Sequence, residues 1–321
     1  MIDILVATYN GESFLKNQLN SLLNQTYTEF NIIIRDDGST DNTLKILNEF
    51  KSLYPDKITL VEGTPTGSAK NNFFELMNHA KSDYIMFCDQ DDYWLPDKVE
   101  LTLAKMKQIE KDNLPSLVHT DLFVTDKDLN ITHKSFYKMQ HFDKSMKCTL
   151  GKAIAQNTVT GCTVMINRPL LELAKNDNCR SIIMHDWWLS ILAAAFGTVA
   201  AVKKPLMLYR QHGNNSVGAK TFGETINLHL VKKEKNISKA LDISYAQGLY
   251  FAEAYKDVLP KKTVKIIKGY CDPSNKHEFY RLWVMLRYGF LKQSFIRKCA
   301  QLVHSVLNIA KNITKKILRR K

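Results

Sequence analysis

Short apolar runs alternate with helical patterns through the first half of the chain, and this alternation most narrows the folds open to it. Ile4 to Ala7 precedes a pattern with Leu15, Leu19, Leu22 and Leu23 on one helix face. Phe30 to Ile34 reads as the next strand. Leu44, Leu47 and Phe50 then mark a second helix, with Ser39 or Thr40 as its N-cap. Lys57 to Val61 is a third strand, followed by a helix near Ala69 to Ala80. Tyr84 to Cys88 is a fourth, and Pro96 suits the first turn of a helix running to about Lys111. Strands alternating with helices of this length predict an α/β fold built of right-handed βαβ units and a parallel sheet. In such folds ligands bind beyond the carboxyl ends of the strands. Three polar segments fall at those ends: Thr8-Tyr9-Asn10-Gly11, Asp36-Asp37-Gly38-Ser39 and Asp89-Gln90-Asp91-Asp92.

Beyond Ser116 the pattern becomes strand-rich, with strands expected over Leu117 to Phe123 and Val159 to Ile166. Trp187 to Ala195 reads as a buried helix, and Val199 to Val202 and Leu206 to Tyr209 as strands. After about Lys220 the pattern is helical to the end. We therefore expect an α/β domain over 1–220 and a helical region over 221–321. With 321 residues the chain can bury a full core.

The first residues, Met1 to Ala7, read as a strand and not as a signal peptide, for they lack a basic start and turn polar at Thr8. The longest nearly apolar run, Leu189 to Val202, is too short to span a bilayer. Cys88, Cys148, Cys162, Cys179, Cys271 and Cys299 form no Cys-x-x-Cys pair. They read as reduced, mostly buried thiols of a cytoplasmic protein. Net charge is +13, yet Phe279 to Lys321 holds eleven basic residues and no Asp or Glu, leaving only +2 for the first 278 residues. The basicity belongs to the tail.

Asp89, Asp91 and Asp92 place three carboxylates within four residues at a strand end. Like charges so close repel unless a cation or hydrogen bonds hold them. Carboxylate oxygens suit Mg²⁺ or Mn²⁺, ions that commonly serve phosphate-bearing substrates. A solvated acidic loop capping the next helix is the plain alternative. Asp36 and Asp37 have their own pair of readings: acceptors for the imide N–H of a pyrimidine base, or caps of a strand-to-helix turn with Gly38 at its tight point.

Together these segments carry a resemblance. Thr8-Tyr9-Asn10-Gly11, Asp36-Asp37-Gly38-Ser39-Thr40-Asp41 and Asp89-Gln90-Asp91-Asp92-Tyr93-Trp94 resemble the motifs of family 2 glycosyltransferases with the GT-A fold. Gly161-Cys162, His185-Asp186-Trp187-Trp188 and Tyr209-Arg210-Gln211-His212-Gly213-Asn214-Asn215-Ser216 further resemble the rhamnosyltransferase-like branch that builds bacterial surface polysaccharides. The likeness covers roughly residues 1–220. It implies a Rossmann-like mixed sheet with helices on both faces, a nucleotide-sugar donor, a divalent metal (Mn²⁺ or Mg²⁺) and inversion at the anomeric carbon.

On that likeness Asp36 or Asp37 holds the nucleobase, with Thr8, Tyr9 and Asn10 nearby. Asp89 and Asp91 form the metal motif, Asp89 also meeting the sugar nucleotide, and Asp92 is an extra ligand or sugar contact. Asp186 is the base that takes the acceptor hydroxyl's proton, opposite the leaving group. Its alternative is a helix N-terminal cap or dipole partner. Trp187 and Trp188 are candidates to stack on a sugar ring, although one of two adjacent Trp is commonly core. His212 completes the metal site or contacts the diphosphate, and otherwise is structural. Arg210 pairs with phosphate through its fork. Gly161 permits close backbone approach to the donor, or marks a strand bulge.

From Phe279 onward, apolar residues recur at near-helical spacing among the basic ones. A basic amphipathic helix reads as binding an anionic membrane surface; a helix packed on the body with a solvated basic face is the alternative. No helix-turn-helix or RNP-like pattern points to nucleic acid. The expected function is transfer of a sugar, L-rhamnose from dTDP-rhamnose first among them and UDP-sugars also open, to a lipid-linked saccharide at the inner face of the bacterial membrane. A sugar nucleotidyltransferase is the rival enzyme. It normally needs a Gly-rich basic phosphate loop, and Thr8 to Glu12 has one Gly and no basic residue before Lys16. A non-catalytic scaffold of an assembly complex is the rival from another class.

Overall fold

The computed structural model describes residues 1–177, 180–213, 230–272 and 278–318. By contacts the chain divides into two units. The first gathers Met1–Met139, Val159–Cys179 and Met184–Lys220, and the second Gln140–Thr158, Arg180–Ile183 and Thr221–Lys321. Two stretches before residue 220 thus group with the C-terminal helices. Cys179, the Asn214-Asn215-Ser216 motif, the boundary expected at 220 and Arg319 to Lys321 lie outside the described residues.

In the first unit, β1 (Ile2–Thr8) is buried along its whole length, as a strand covered on both faces of a parallel sheet must be. It pairs in parallel with β2 (Phe30–Asp36) on one side and β4 (Tyr84–Asp89) on the other, while β3 (Ile58–Val61) extends the sheet beyond β2. The register sets Thr8 opposite Asp36 and Ala7 opposite Asp89, so three polar segments issue from one sheet edge. Helices α1 (Leu15–Leu23), α2 (Thr43–Leu53) and α3 (Ala69–His79) link these strands. Leu15, Leu19, Leu22, Leu47 and Phe50 enter the core as their spacing predicts, whereas Leu44 stays exposed. Helix α2 starts later than expected: its N-cap is Asn42, and the Ser39 hydroxyl donates to Asp36 instead.

The sheet then turns mixed. After β5 (Tyr93–Trp94), α4 (Lys98–Ile109), β6 (Ser116–Thr125), β7 (Ile131–His133) and the short helices α5 (Phe136–Met139) and α6 (Leu150–Ala155), β8 (Val164–Asn167) runs antiparallel between β4 and β6. The strand expected from Val159 is shorter, because Gly161–Thr163 forms a 3-10 turn just before it. Helices α7 (Arg168–Ala174) and α8 (His185–Phe196) follow. The two strands expected over 199–209 are one, β9 (Thr198–Arg210), parallel to β6 with a register shift near Asp121 and antiparallel to β5. Among the described residues the nine strands form one sheet, in the order β3-β2-β1-β4-β8-β6-β9-β5 with β7 beside β6.

The second unit holds α9 (Leu230–Ala254), α10 (Lys261–Cys271), α11 (Glu278–Tyr288) and α12 (Phe295–Leu318), the helical pattern expected. No described helix is long and apolar enough to cross a membrane. Helix α12 buries polar side chains beside Ile309 and leaves several apolar ones exposed. Gln301 and Ser305 face inward, with Gln301 Nε2 donating to Tyr270 Oη and the Phe290 carbonyl, both at 2.9 Å. Phe295, Ile296, Val303, Val306 and Leu307 face outward and are exposed. On α11, Phe279, Trp283 and Leu286 are exposed at i, i+4 and i+7, one helix face.

Candidate active site

At the end of β2, Asp36 and Asp37 both turn their carboxylates into the loops. Asp36 accepts from the Thr8 hydroxyl at 2.8 Å, the Ser39 hydroxyl at 2.6 Å and the Gly38 and Ser39 amides at 3.0 and 2.7 Å. Asp37 accepts from the Arg35 guanidinium at 3.2 Å, the Thr66 amide and hydroxyl at 2.5 and 2.8 Å, and the Gly67 amide at 2.9 Å. Each carboxylate has about four acceptor positions, and four donors meet each of them. Gly38 has φ +88, and a Cβ there would stand 2.7 Å from Pro65 Cγ, so the turn needs glycine. Asp36 thus holds its own turn and Asp37 holds the Thr66-Gly67 loop, and the two carboxylates shape the rim around the edge of the sheet. Asn10, at φ 47, is tied to the same rim, its amide donating to Ser39 Oγ and its Oδ1 accepting from the Thr40 amide, both at 2.8 Å. The Tyr9 ring is exposed.

At the end of β4 the three carboxylates separate by environment. Asp92 is fully buried. It accepts the Arg210 amide at 3.1 Å and faces Cys162 and the buried Lys98 ammonium. Burial and the charges of Asp91 and Asp89 push its carboxyl well above the usual range. Asp91 meets His212, Oδ2 to Nε2, at 2.7 Å. His212 stacks against Phe14, centroid to centroid 4.6 Å. Asp89 has Asp91 and Asp186 as its charged neighbours. Enclosure first, and then those two like charges, push it up to about 7 against the pull of Lys98.

Asp186 sits in the first turn of α8, 7% exposed, its Oδ1 accepting the Trp187 amide at 2.6 Å. Asp89, Asp91 and Asp186 thus share one electrostatic neighbourhood although they come from β4, the loop after it and α8. Gly161 lets α8 approach: a Cβ there would stand 2.9 Å from His185 Nε2 and 3.7 Å from Asp186 Cβ. The close approach that Gly161 permits is to the start of α8. His185 itself is buried between Phe73 and Phe87, at 4.2 and 5.0 Å, and burial lowers it to about 3, so the ring is neutral.

Two aromatic and cationic assignments become specific. Trp188 is fully buried with its Nε1 donating to Asp177 Oδ2 at 3.1 Å, while Trp187 is only half-buried. Trp188 is the core member of the pair and offers no face to a sugar. Arg210, expected to fork onto phosphate, is 4% exposed. Its Nε donates to the Asp91 carbonyl at 2.7 Å, its Nη1 to the Lys127 carbonyl at 2.5 Å, and its guanidinium lies over the Phe14 ring at 4.7 Å. Desolvation forces a buried guanidinium to spend its donors on the oxygens around it, and here that fastens the Asp91 loop to β9.

Lys98 was not visible as a site residue in the sequence. Its Nζ lies 3.6 Å above the Trp94 ring and donates to the Cys162 carbonyl, and burial brings it down to about 8. The spacing of Lys98, Thr102 and Met106, all buried on α4, was the signal that could have found it. Donor atoms of Asp89, Asp92 and Cys162 lie within 4.8 Å of one another. That inner face already holds a cation in Lys98, and its thiol is pushed far up by burial. Asp91 and His212 are not part of that group: they meet each other at 2.7 Å, and a carboxylate with a ring nitrogen is a donor pair that suits a divalent ion.

Over 225 residues the chain is 35% identical to the dTDP-rhamnosyl transferase RfbG of Shigella flexneri, spanning 67% of this chain and 74% of that protein. It is 29% identical over 223 residues to the putative teichuronic acid biosynthesis glycosyltransferase TuaG of Bacillus subtilis, spanning 68% and 82%. The fold resembles S. aureus TarS 1-349, solved with UDP-GlcNAc, at a TM-score of 0.53 and 15% identity over 89% of this chain and 80% of that one. It also resembles the mannosyltransferase PcManGT of Pyrobaculum calidifontis, solved with GDP-Man and Mn²⁺, at 0.50 and 16% over 96% and 80%. The profile of glycosyl transferase family 2 matches residues 3–172, more than half of the chain and the stretch in which β1, β2 and β4 deliver their polar ends to one edge. The chain belongs to glycosyl transferase family 2 and is a glycosyltransferase with the GT-A fold.

Proposed function

We propose that this enzyme transfers a sugar, L-rhamnose from dTDP-rhamnose foremost, to a lipid-linked saccharide of a bacterial cell-surface polysaccharide, with inversion at the anomeric carbon. The observation that carries the reading is that β1, β2 and β4 end at one sheet edge, while Gly161 seats the first turn of α8, and with it Asp186, next to Cys162, whose Sγ lies within 4.8 Å of an Asp89 oxygen. The similarity to a dTDP-rhamnosyl transferase supports the sugar. Residues 1–220 hold the catalytic machinery and 221–321 the helical extension.

Asp89, Asp91 and His212 would hold a Mn²⁺ or Mg²⁺ ion. Such an ion supplies positive charge against the departing nucleoside diphosphate. Asp186 accepts the proton of the acceptor hydroxyl as that oxygen bonds to the anomeric carbon. The bond from that carbon to the diphosphate oxygen breaks on the opposite face. Near-complete burial of Asp186 keeps water from competing for the same position. Trp187 flanks the sugar, and the Tyr9 ring packs on the base.

The second unit supports attachment to the inner membrane face. An exposed apolar face on α11 and α12, in a segment with eleven basic residues and no acidic one, fits an anionic bilayer. Pairing of two such segments would oppose like charges, which argues against a second copy as the occupant.

Incubating the enzyme with Mn²⁺, a panel of nucleotide sugars and a lipid-linked acceptor tests the reading. Transfer from dTDP-β-L-rhamnose giving an α-linked product by NMR is expected. A retained β configuration or transfer from no donor contradicts it.

A further inference from the structure

Gln90 stands in sequence between the two carboxylates assigned to the diphosphate station, and its side-chain amide pairs with the loop after β1. Its Oε1 accepts the Tyr9 amide at 2.8 Å, and its Nε2 donates to the Tyr9 carbonyl at 2.8 Å. A primary amide here copies the two-way pairing of one strand residue with another, across 81 positions of sequence. The contact joins the loop after β1 to the loop after β4.

Among the described residues, the other side-chain acceptors for the amides of the loop that Gln90 grips come from the segment that follows β2. The amides of Asn10, Gly11 and Glu12 donate to Ser39 Oγ, Thr43 Oγ1 and Asp41 Oδ2, from the loop after β2 and the first residue of α2. Tyr9 is the position where the same loop reaches the carboxylate segment. Gly11 leaves room for this: a Cβ there would stand 2.6 Å from Gln90 Cδ. Asn10 at φ 47 turns the chain between the two points.

We infer that Gln90 is a positioning residue, a clasp that fixes the Tyr9 loop relative to Asp89 and Asp91 and so sets the span between the base end and the diphosphate end of the donor. The inference rests on the assignment of Asp89 and Asp91 to the donor diphosphate. Only a side chain with one donor and one acceptor at this reach serves: Leu offers neither, and Glu sets an oxygen against the Tyr9 carbonyl. A misplacement of the order of 1 Å between two binding points costs donor affinity steeply. The chemistry at Asp186 is touched less, since both hydrogen bonds of the Gln90 side chain go to Tyr9 and not to α8.

The test compares wild type, Gln90→Leu, Gly11→Ala and the double variant, by titration with dTDP and UDP plus Mn²⁺ and by steady-state kinetics with the working donor. Gln90→Leu is expected to raise nucleotide Kd and donor KM by about tenfold or more with kcat within about threefold. Gly11→Ala, which displaces the amide, is expected to do the same. The double variant should then be no worse than the worse single, because both remove one contact. Unchanged Kd and KM, a fall in kcat alone, or fully multiplying effects would overturn the clasp. Melting curves of all four proteins separate it from loss of fold, which would move KM only alongside Tm. Wild type that binds dTDP or UDP equally well without Mn²⁺ would sink the diphosphate assignment instead, whatever Gln90→Leu does. Wild type that binds neither nucleotide overturns both.

Discussion

His212 Nε2 lies 2.7 Å from Asp91 Oδ2, bringing the residues just after β9 onto the carboxylate loop 121 positions earlier. The contact is anchored on both sides. His212 stacks on Phe14, and Arg210, two residues before it, holds the Asp91 carbonyl. Asp91 and His212 are therefore preset as a pair. Asp91→Ala and His212→Ala should each raise the Mn²⁺ concentration for half-maximal transfer by roughly tenfold to a hundredfold. A Mn²⁺ titration of activity checks this, and an unchanged midpoint in both removes them as ligands.

The Asp89 carboxyl gives the protein a specific pH response. Its folded value of about 7 exceeds the ordinary carboxylate value, so between about pH 4 and 7 the folded state binds more protons than the unfolded state. This group's contribution to stability is therefore fully favourable at low pH and fades as pH rises through 7. A divalent ion competes with that proton. The rise in Tm on adding Mn²⁺ should be larger at pH 7.5 than at pH 5.5. Equal shifts at the two pH values would contradict the assignment of Asp89.

The adjacent tryptophans should part company on mutation. Trp188→Ala removes a fully buried side chain and its bond to Asp177, and should cost about 3–5 kcal/mol of stability. Trp187→Ala, at a half-buried position, should leave Tm close to wild type and lower transfer. Urea unfolding and a transfer assay on both variants separate the roles.

How far the sequence carried can be read from these residues. That polar segments close β1, β2 and β4 at the carboxyl ends of the strands was legible, because each follows a buried apolar run. The identity of the segments that meet at the site was legible too, since motif order survives folding. What was not legible was direction. Asp91 and Asp92 are neighbours in sequence, yet one faces His212 and the other the Arg210 amide and Lys98. Alternation along an extended segment sends successive side chains to opposite sides, but a loop hides which side is inward. Which of Trp187 and Trp188 is core, and what Arg210 holds, were open for a related reason, because either kind of side chain serves equally as ligand contact or buried brace until its neighbours are known. Lys98 was missed because a lysine near a helix start ordinarily faces water.

Helix α12 predicts a measurable surface activity. Val303→Glu with Val306→Glu places two charges on its outward apolar face, where both residues are exposed, so Tm should hold. Sedimentation with vesicles containing anionic lipid should fall sharply against wild type, and wild-type binding should weaken as salt rises. Undiminished sedimentation of the variant would exclude this face as the membrane contact.

The central claim is that Asp186 takes the acceptor's proton beside a donor held at Asp89 and Asp91. The most direct measurement is the turnover of Asp186→Asn together with its donor Kd in the presence of Mn²⁺. The account predicts a loss in kcat of about a hundredfold or more with donor Kd within about threefold of wild type. Turnover near the wild-type rate would contradict it.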